Sequence, residues 1–179
     1  MHRLARFSAI VVGSLLVTSL VATAWFDVAF VQPAAAKARS LLAQASATER
    51  QPPTDLVRLL AASDGGKERG SVLVRRLLYL EPGQVNGLRT TQRQLVELGT
   101  TLLIGWHLNE RELTSARIAS AYLGASVVGF ERGAAAYFNT SLELLSRDQL
   151  AELVALERAP TSNPETVRRV KQLLLGRTA

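Results

Sequence analysis

The sequence predicts an all-α protein: a helical domain behind one N-terminal transmembrane helix. Three observations carry this. Phe7 to Phe26 is a run of 20 residues without a charge. Beyond Pro33, apolar residues recur at helical spacing, and each run is bounded by cap and breaker signals. No stretch of convincing apolar–polar alternation interrupts them.

The uncharged run comes first. At 1.5 Å rise per residue, about 20 apolar residues match the hydrocarbon core of a bilayer. His2, Arg3 and Arg6 precede it and Asp27 closes it. Positive charge on this short end predicts a cytoplasmic N-terminus with the remainder exported. A cleaved signal peptide is the alternative, because Ala22-Thr23-Ala24 and Ala34-Ala35-Ala36 both have the small-residue pattern of a cleavage site. The expected organisation is an anchor over 1–32, a helical stalk or linker over 33–53, and a helical domain over 54–179.

Thr54 is the expected cap of a helix carrying Leu56, Val57, Leu59 and Leu60, ended by Ser63-Asp64-Gly65-Gly66. Ser71 to Leu80 is a short apolar segment stopped by Pro82-Gly83 and Asn86-Gly87. A long helix is expected from about Thr91 to Asn109, with Leu95, Leu98, Leu102 and Trp106 on one face. Thr114 is the expected cap of the next helix, which would carry Ile118 and Tyr122. Ser146-x-x-Gln149 has the form of a capping box. Asn163-Pro164-Glu165 supplies a cap, a proline at the first helical position and a first-turn acid.

Composition narrows the chemistry. The 179 residues hold no cysteine and only two histidines, which excludes thiolate metal sites, a Cys nucleophile and a His-built zinc cage. Lys and Arg number 21 against 15 Asp and Glu, a net charge of +6. That balance suits anionic headgroups or a pyrophosphate-bearing lipid. No dense basic stripe with interleaved aromatics points to nucleic acid. Any catalysis must run on carboxylates, hydroxyls, Arg or Lys.

Three blocks in the second half say more. Leu113 to Gly124, LTSARIASAYLG, is similar to the L-S-K-x-x-I-L-x-x-Y-L-N stretch of glycosyltransferase family 51, the peptidoglycan transglycosylases. Gly129 to Asn139, GFERGAAAYFN, resembles that family's G-V-E-A-A-A-x-x-Y-F-G. Leu142 to Pro164 resembles its E-L-x-x-x-E-A-A-L-L-A-x-L-x-x-P-x-x-x-N-P, and Val167 to Leu175 its closing helix. Upstream, Arg93-x-x-x-Glu97 resembles R-K-x-x-E with Gln94 in place of Lys. Gly70 to Arg76 resembles G-S-T-I-T-Q-Q with both glutamines replaced by Arg75 and Arg76. Ala61-Ala62-Ser63-Asp64 resembles the A-S-E-D opening of the catalytic motif, but the Phe and His that follow in the family are absent.

The resemblance implies a lysozyme-like helical fold, a membrane anchor, and lipid II as substrate. The family displaces a lipid pyrophosphate from a sugar C1. That chemistry needs a general base for the acceptor hydroxyl and cations or a divalent metal for the leaving group. Glu97 and Asp64 are the candidate catalytic carboxylates. Arg75, Arg76 and Arg93 are the candidate pyrophosphate ligands, since guanidinium binds such oxygens bidentately. Glu131 carries a structural hydrogen-bonding role, and Tyr122, Tyr137 and Phe138 are expected in the core. No tightly bound cofactor or protein-built metal site is expected; a divalent ion would accompany pyrophosphate. The expected partners are lipid II or a glycan strand, the cytoplasmic membrane and a cell-wall synthase. The degraded base motif predicts a binding protein that does not polymerise. The alternatives are a divergent active transglycosylase and a helical envelope interaction protein. The loop between Gly124 and Gly129 is about five residues shorter than the family's, which should reshape one wall of the cleft.

Overall fold

The computed structural model describes residues 2–65, 70–80, 85–160 and 163–178. The expected breakers Gly66, Pro82 and Gly83 lie outside them. Among the described residues the secondary structure is helical, with one isolated bridge between Tyr122 and Val128.

Helix α1, His2–Phe26, continues through a π-helical segment, Asp27–Val31, into α2, Gln32–Gln44. Within this continuous stretch, Ile10–Gln44 is long and apolar enough to cross a membrane. Pro33 therefore does not break the chain. It stands in the first turn of α2, directly after the π segment, and the wider π turn carries the helix past its missing N–H. Ala35 and Ala38 of α2 are fully buried, and their small size lets α2 lie directly against α7.

The remaining helices are α3, Ala47–Arg50; α4, Thr54–Asp64; α5, Ser71–Leu80; α6, Thr90–Leu103; α7, Glu110–Ser120; α8, Phe130–Phe138; α9, Arg147–Arg158; and α10, Pro164–Arg177. The predicted caps of α9 and α10 form. Ser146 Oγ accepts from Gln149 N and Gln149 Oε1 from Ser146 N, and Asn163 Oδ1 accepts from Thr166 N at 2.9 Å. Two other expected caps are displaced. Thr54 is already the first helical residue of α4, with Pro53 before it. Thr114 lies inside α7, because Asn109 and Glu112 build the capping box a turn earlier. The long helix also ends sooner than expected, passing into a 3-10 turn over Ile104–Trp106.

Two cores form. One joins α4, α8, α9 and α10 around Leu56, Leu59, Phe130, Leu150, Leu153 and Val154. The other joins α2, α5 and α6 around Ala35, Leu73, Leu77, Val96 and Ile104. Helix α7 belongs to both: Leu113 and Ala116 face the second, Ile118 the first. Phe138 packs against the first core as expected. Tyr137 and Tyr122 do not enter it. Tyr137 is 40% exposed because its hydroxyl donates to Leu123 O at 2.8 Å and holds the ring at the rim. Glu131 accepts from Leu142 N, the structural role expected of it.

Helix α8 starts at Gly129, which has no side chain to cap it. Glu49, buried on α3, supplies the cap instead: its Oε1 accepts from Glu131 N at 3.1 Å. The short loop before α8 folds tightly. Ala125 and Ser126 both hold positive φ, 47° and 64°, while Leu123 N donates to Val127 O across the turn. This is the left-handed pair that favours Asn-Gly.

Two stability predictions follow from this packing. Leu153→Ala should cost about 2–5 kcal/mol, because the site is fully enclosed and cannot collapse freely. Ser126→Gly should raise stability by up to ~1 kcal/mol by removing a left-handed Cβ penalty. Thermal unfolding of the full chain in detergent, followed by circular dichroism, reads both.

Candidate functional site

Of the five residues singled out by sequence, Glu97 and Arg75 share one site, Asp64 and Arg76 another, and Arg93 joins neither. The first is a groove of about 400 Å³ between α5 and α6, lined by Ser71, Val72, Arg75, Gln94, Glu97, Leu98 and Thr101. Glu97 and Arg75 meet in it. Arg75 donates from Nε and Nη2 to Glu97 Oε1, both at 2.9 Å. The hydrogen bond and the charge of Glu97 hold the Arg75 guanidinium above its ordinary pKa. Arg75 is largely exposed and Glu97 half-buried, so the pair sits at the groove's mouth with its donors open to a ligand.

Arg93 does not join them. The i, i+4 partnership with Glu97 is replaced by the contact from α5, and Arg93 Nε donates to Leu88 O at 3.0 Å instead. The reason is local. The chain entering α6 leaves the Leu88 carbonyl within reach of Arg93, while Arg75 approaches Glu97 from the neighbouring helix with two donors.

The second site is a buried ion cluster. Arg117 of α7 donates from Nη1 to both oxygens of Asp64, at 2.8 and 2.9 Å. Its Nε and Nη2 reach Oε1 and Oε2 of Glu157 on α9, at 3.1 and 3.0 Å. Arg76 of α5 adds a bond to Glu157 Oε1 and others to Ser120 Oγ and Arg117 O, each at 3.2 Å. Two guanidiniums thus balance two carboxylates, with the Glu157 side chain only 3% exposed. Burial works against the Arg117 charge, but Glu157 and Asp64 outweigh it and hold its pKa above the ordinary value. Arg76 accordingly turns away from the groove, and Asp64 lines a separate cavity of about 140 Å³ beside Arg117. Neither Arg117 nor Glu157 was expected at a site. They lie 53 and 93 residues from Asp64 in sequence, and no local spacing marks them.

A family model described as Transglycosylase matches residues 70–178. The chain belongs to the transglycosylase family. No curated protein matches it. The match spans α5 to α10, and so includes the groove, Arg117 and Glu157, while Asp64 falls before it. The transglycosylase domain gives the protein a peptidoglycan glycosyltransferase-like role at the level of its family.

Among the described residues no three His, Cys, Asp or Glu side chains converge on a metal-sized site. A Mg²⁺-type ion demands near-octahedral oxygen ligands. The groove supplies one carboxylate, already paired with Arg75, so pyrophosphate oxygens and water would have to furnish most of the shell.

The two sites should respond differently to loss of charge. Glu157→Gln leaves two buried guanidiniums short of charge and should cost about 3–5 kcal/mol. Asp64→Asn should destabilise in the same direction by less. Glu97→Gln should change stability by no more than ~1 kcal/mol, because its partner is exposed. Chemical denaturation of the three variants in detergent gives the order.

Proposed function

We infer that this transglycosylase-family protein is anchored by α1 in the cytoplasmic membrane, with 37–179 outside it. It binds lipid II or a glycan strand in the α5–α6 groove without polymerising it. The observation that carries this reading is the fate of the carboxylates. A polymerase needs a base within about 3 Å of the acceptor hydroxyl and cations poised at the leaving pyrophosphate. Asp64, the residue nearest the family's base motif, has both oxygens occupied by Arg117. Glu97 has a guanidinium on Oε1. Two carboxylates that serve as ion-pair partners are poorly placed to accept a proton from substrate.

Binding asks for less. Arg75 presents a charged fork beside an apolar lip formed by Val72 and Leu98. This combination suits a pyrophosphate joined to a lipid tail. The short Gly124–Gly129 loop agrees with a reshaped donor wall. Uncleaved anchoring is favoured over signal cleavage at Ala34–Ala36, since Ala34 and Ala35 are buried in the second core. The reading places an anchor over 1–32, a helical connection over 33–53 and the transglycosylase-like domain over 54–179, with a cell-wall synthase as the protein partner.

The test is purified full-length protein in detergent with lipid II and Mg²⁺, assayed in parallel for bound lipid and for glycan polymer. Binding without polymer is expected, and Arg75→Ala should weaken it by roughly 10-fold, the equivalent of one charge-assisted contact. Polymer formation that Glu97→Gln abolishes would overturn the non-catalytic reading in favour of a divergent active enzyme.

A further inference from the structure

A cavity of about 370 Å³ lies where helices α9 and α10 meet Tyr137 of α8, and it shares no lining residue with the α5–α6 groove. Leu156, Pro164 and the buried Val167 give it an apolar lining. Glu152 of α9 and Arg168 and Lys171 of α10 supply its polar groups.

The polar groups are partly committed. Lys171 donates to Asp148 and to Oε2 of Glu152, the latter at 2.9 Å, and so ties α10 to α9. Oε1 of Glu152 stays open as an acceptor. Arg168 is exposed, and among the described residues no hydrogen bond or ion pair holds it, so its donors are spare. Arg168 and Lys171 stand against Glu152 and Asp148, two cations against two carboxylates, and this balance selects no anion. Tyr137 adds an aromatic wall. Its hydroxyl is held by Leu123 O while the residue stays 40% exposed, so the ring is immobilised before any ligand arrives. A wall already fixed costs little further entropy on binding.

A donor beside an acceptor, balanced charge, a fixed aromatic ring and an apolar lining together complement a neutral sugar that carries an acylamino group. Each hydroxyl of such a sugar both donates and accepts. Its weakly positive C–H face suits the negative face of an aromatic ring. Its acyl methyl needs apolar surface. We propose that this cavity is a saccharide subsite for an N-acylated amino sugar. The ring lies on Tyr137, hydroxyls meet Arg168 and Glu152 Oε1, and the acyl methyl rests on Leu156 and Val167. The volume is at the lower end of the ~300–1,000 Å³ of small-molecule sites, room for about one or two sugar rings. The subsite stands apart from the groove and does not depend on what the groove binds.

The probe is tri-N-acetylchitotriose, with maltotriose as the control that lacks the acyl group. Saturation-transfer NMR on the full chain in detergent should show transfer to chitotriose, largest at the acetyl methyls, and several-fold weaker binding of maltotriose. Arg168→Ala should weaken chitotriose binding about 5-fold and Tyr137→Ala about 10-fold. Arg168 holds no other contact, so its effect is read without a change in helical circular dichroism. The chain has no cysteine, so one nitroxide can be placed at Gln172→Cys, exposed on α10, or at Gln94→Cys in the groove. Broadening of the sugar resonances should be stronger from Gln172→Cys. Stronger broadening from Gln94→Cys would place the sugar in the groove and overturn the proposal. So would absence of transfer, equal binding of maltotriose, or full binding by Arg168→Ala. Glycylglycine binding in place of chitotriose would overturn it in favour of a zwitterionic peptide end, carboxylate on Arg168 and ammonium on Glu152. Lipid II binding is measured on the same samples and should be unchanged in Arg168→Ala; its absence from the unmodified chain would refute the groove reading alone.

Discussion

The Arg117 guanidinium holds the two halves of this domain in register. It sits on α7 between Ala116, which faces one core, and Ile118, which faces the other. Through Asp64, Glu157 and Arg76 it connects the end of α4, the end of α9 and the middle of α5. Removing such charges from water costs several kcal/mol each, so the cluster is weak evidence for stability as such. Its effect is positional. Both oxygens of Asp64 and both of Glu157 accept from Arg117, and that geometry exists at only one arrangement of the four helices.

The groove inherits that arrangement. Arg75 and Arg76 are consecutive on α5, so their side chains leave the helix about 100° apart. Once Arg76 is drawn inward to Glu157, Arg75 is directed across to α6, where it meets Glu97. The paired arginines replace the two glutamines of the family motif that this segment resembles, and they do two separate things. One is consumed in structure and the other remains open to a ligand. A single change of type at two neighbouring positions therefore does not translate into a doubled pyrophosphate site.

Local signals were legible in the sequence where the chemistry is local. The capping boxes at Ser146 and the Asn163-Pro164 start of α10 form as read, and Leu150, Leu153 and Val154 are buried together. Asn109 and Glu112 carry the same signature as Ser146 and Gln149, and they, not Thr114, start α7. Partnerships across the chain were not legible. Nothing near Asp64 announces Arg117, and nothing near Glu97 announces Arg75. Each pairing depends on helices that meet only after both cores close. The stripe of α6 shares one face as read, but periodicity does not say which way a face turns, and here Leu95, Leu98, Leu102 and Trp106 are exposed.

The small residues after the uncharged run show how one pattern satisfies two physical readings. Ala34-Ala35-Ala36 has the form of a cleavage site, since small side chains fit a protease's recognition pockets. The same smallness lets α2 approach α7 closely enough to bury Ala34, Ala35 and Ala38 against Leu113 and Ala116. That packing joins α1 to the domain without a flexible joint, because the π-helical turn at Asp27–Val31 continues α1 directly into α2. Phe26 on Gly99 and Asp27 against His107 then add contacts to α6 and the turn after it, earlier along the same rod. A rod held by α7 along α2 and by α6 at the π-helical junction has its direction set by both, so the course of α1 relative to α6 follows from these contacts.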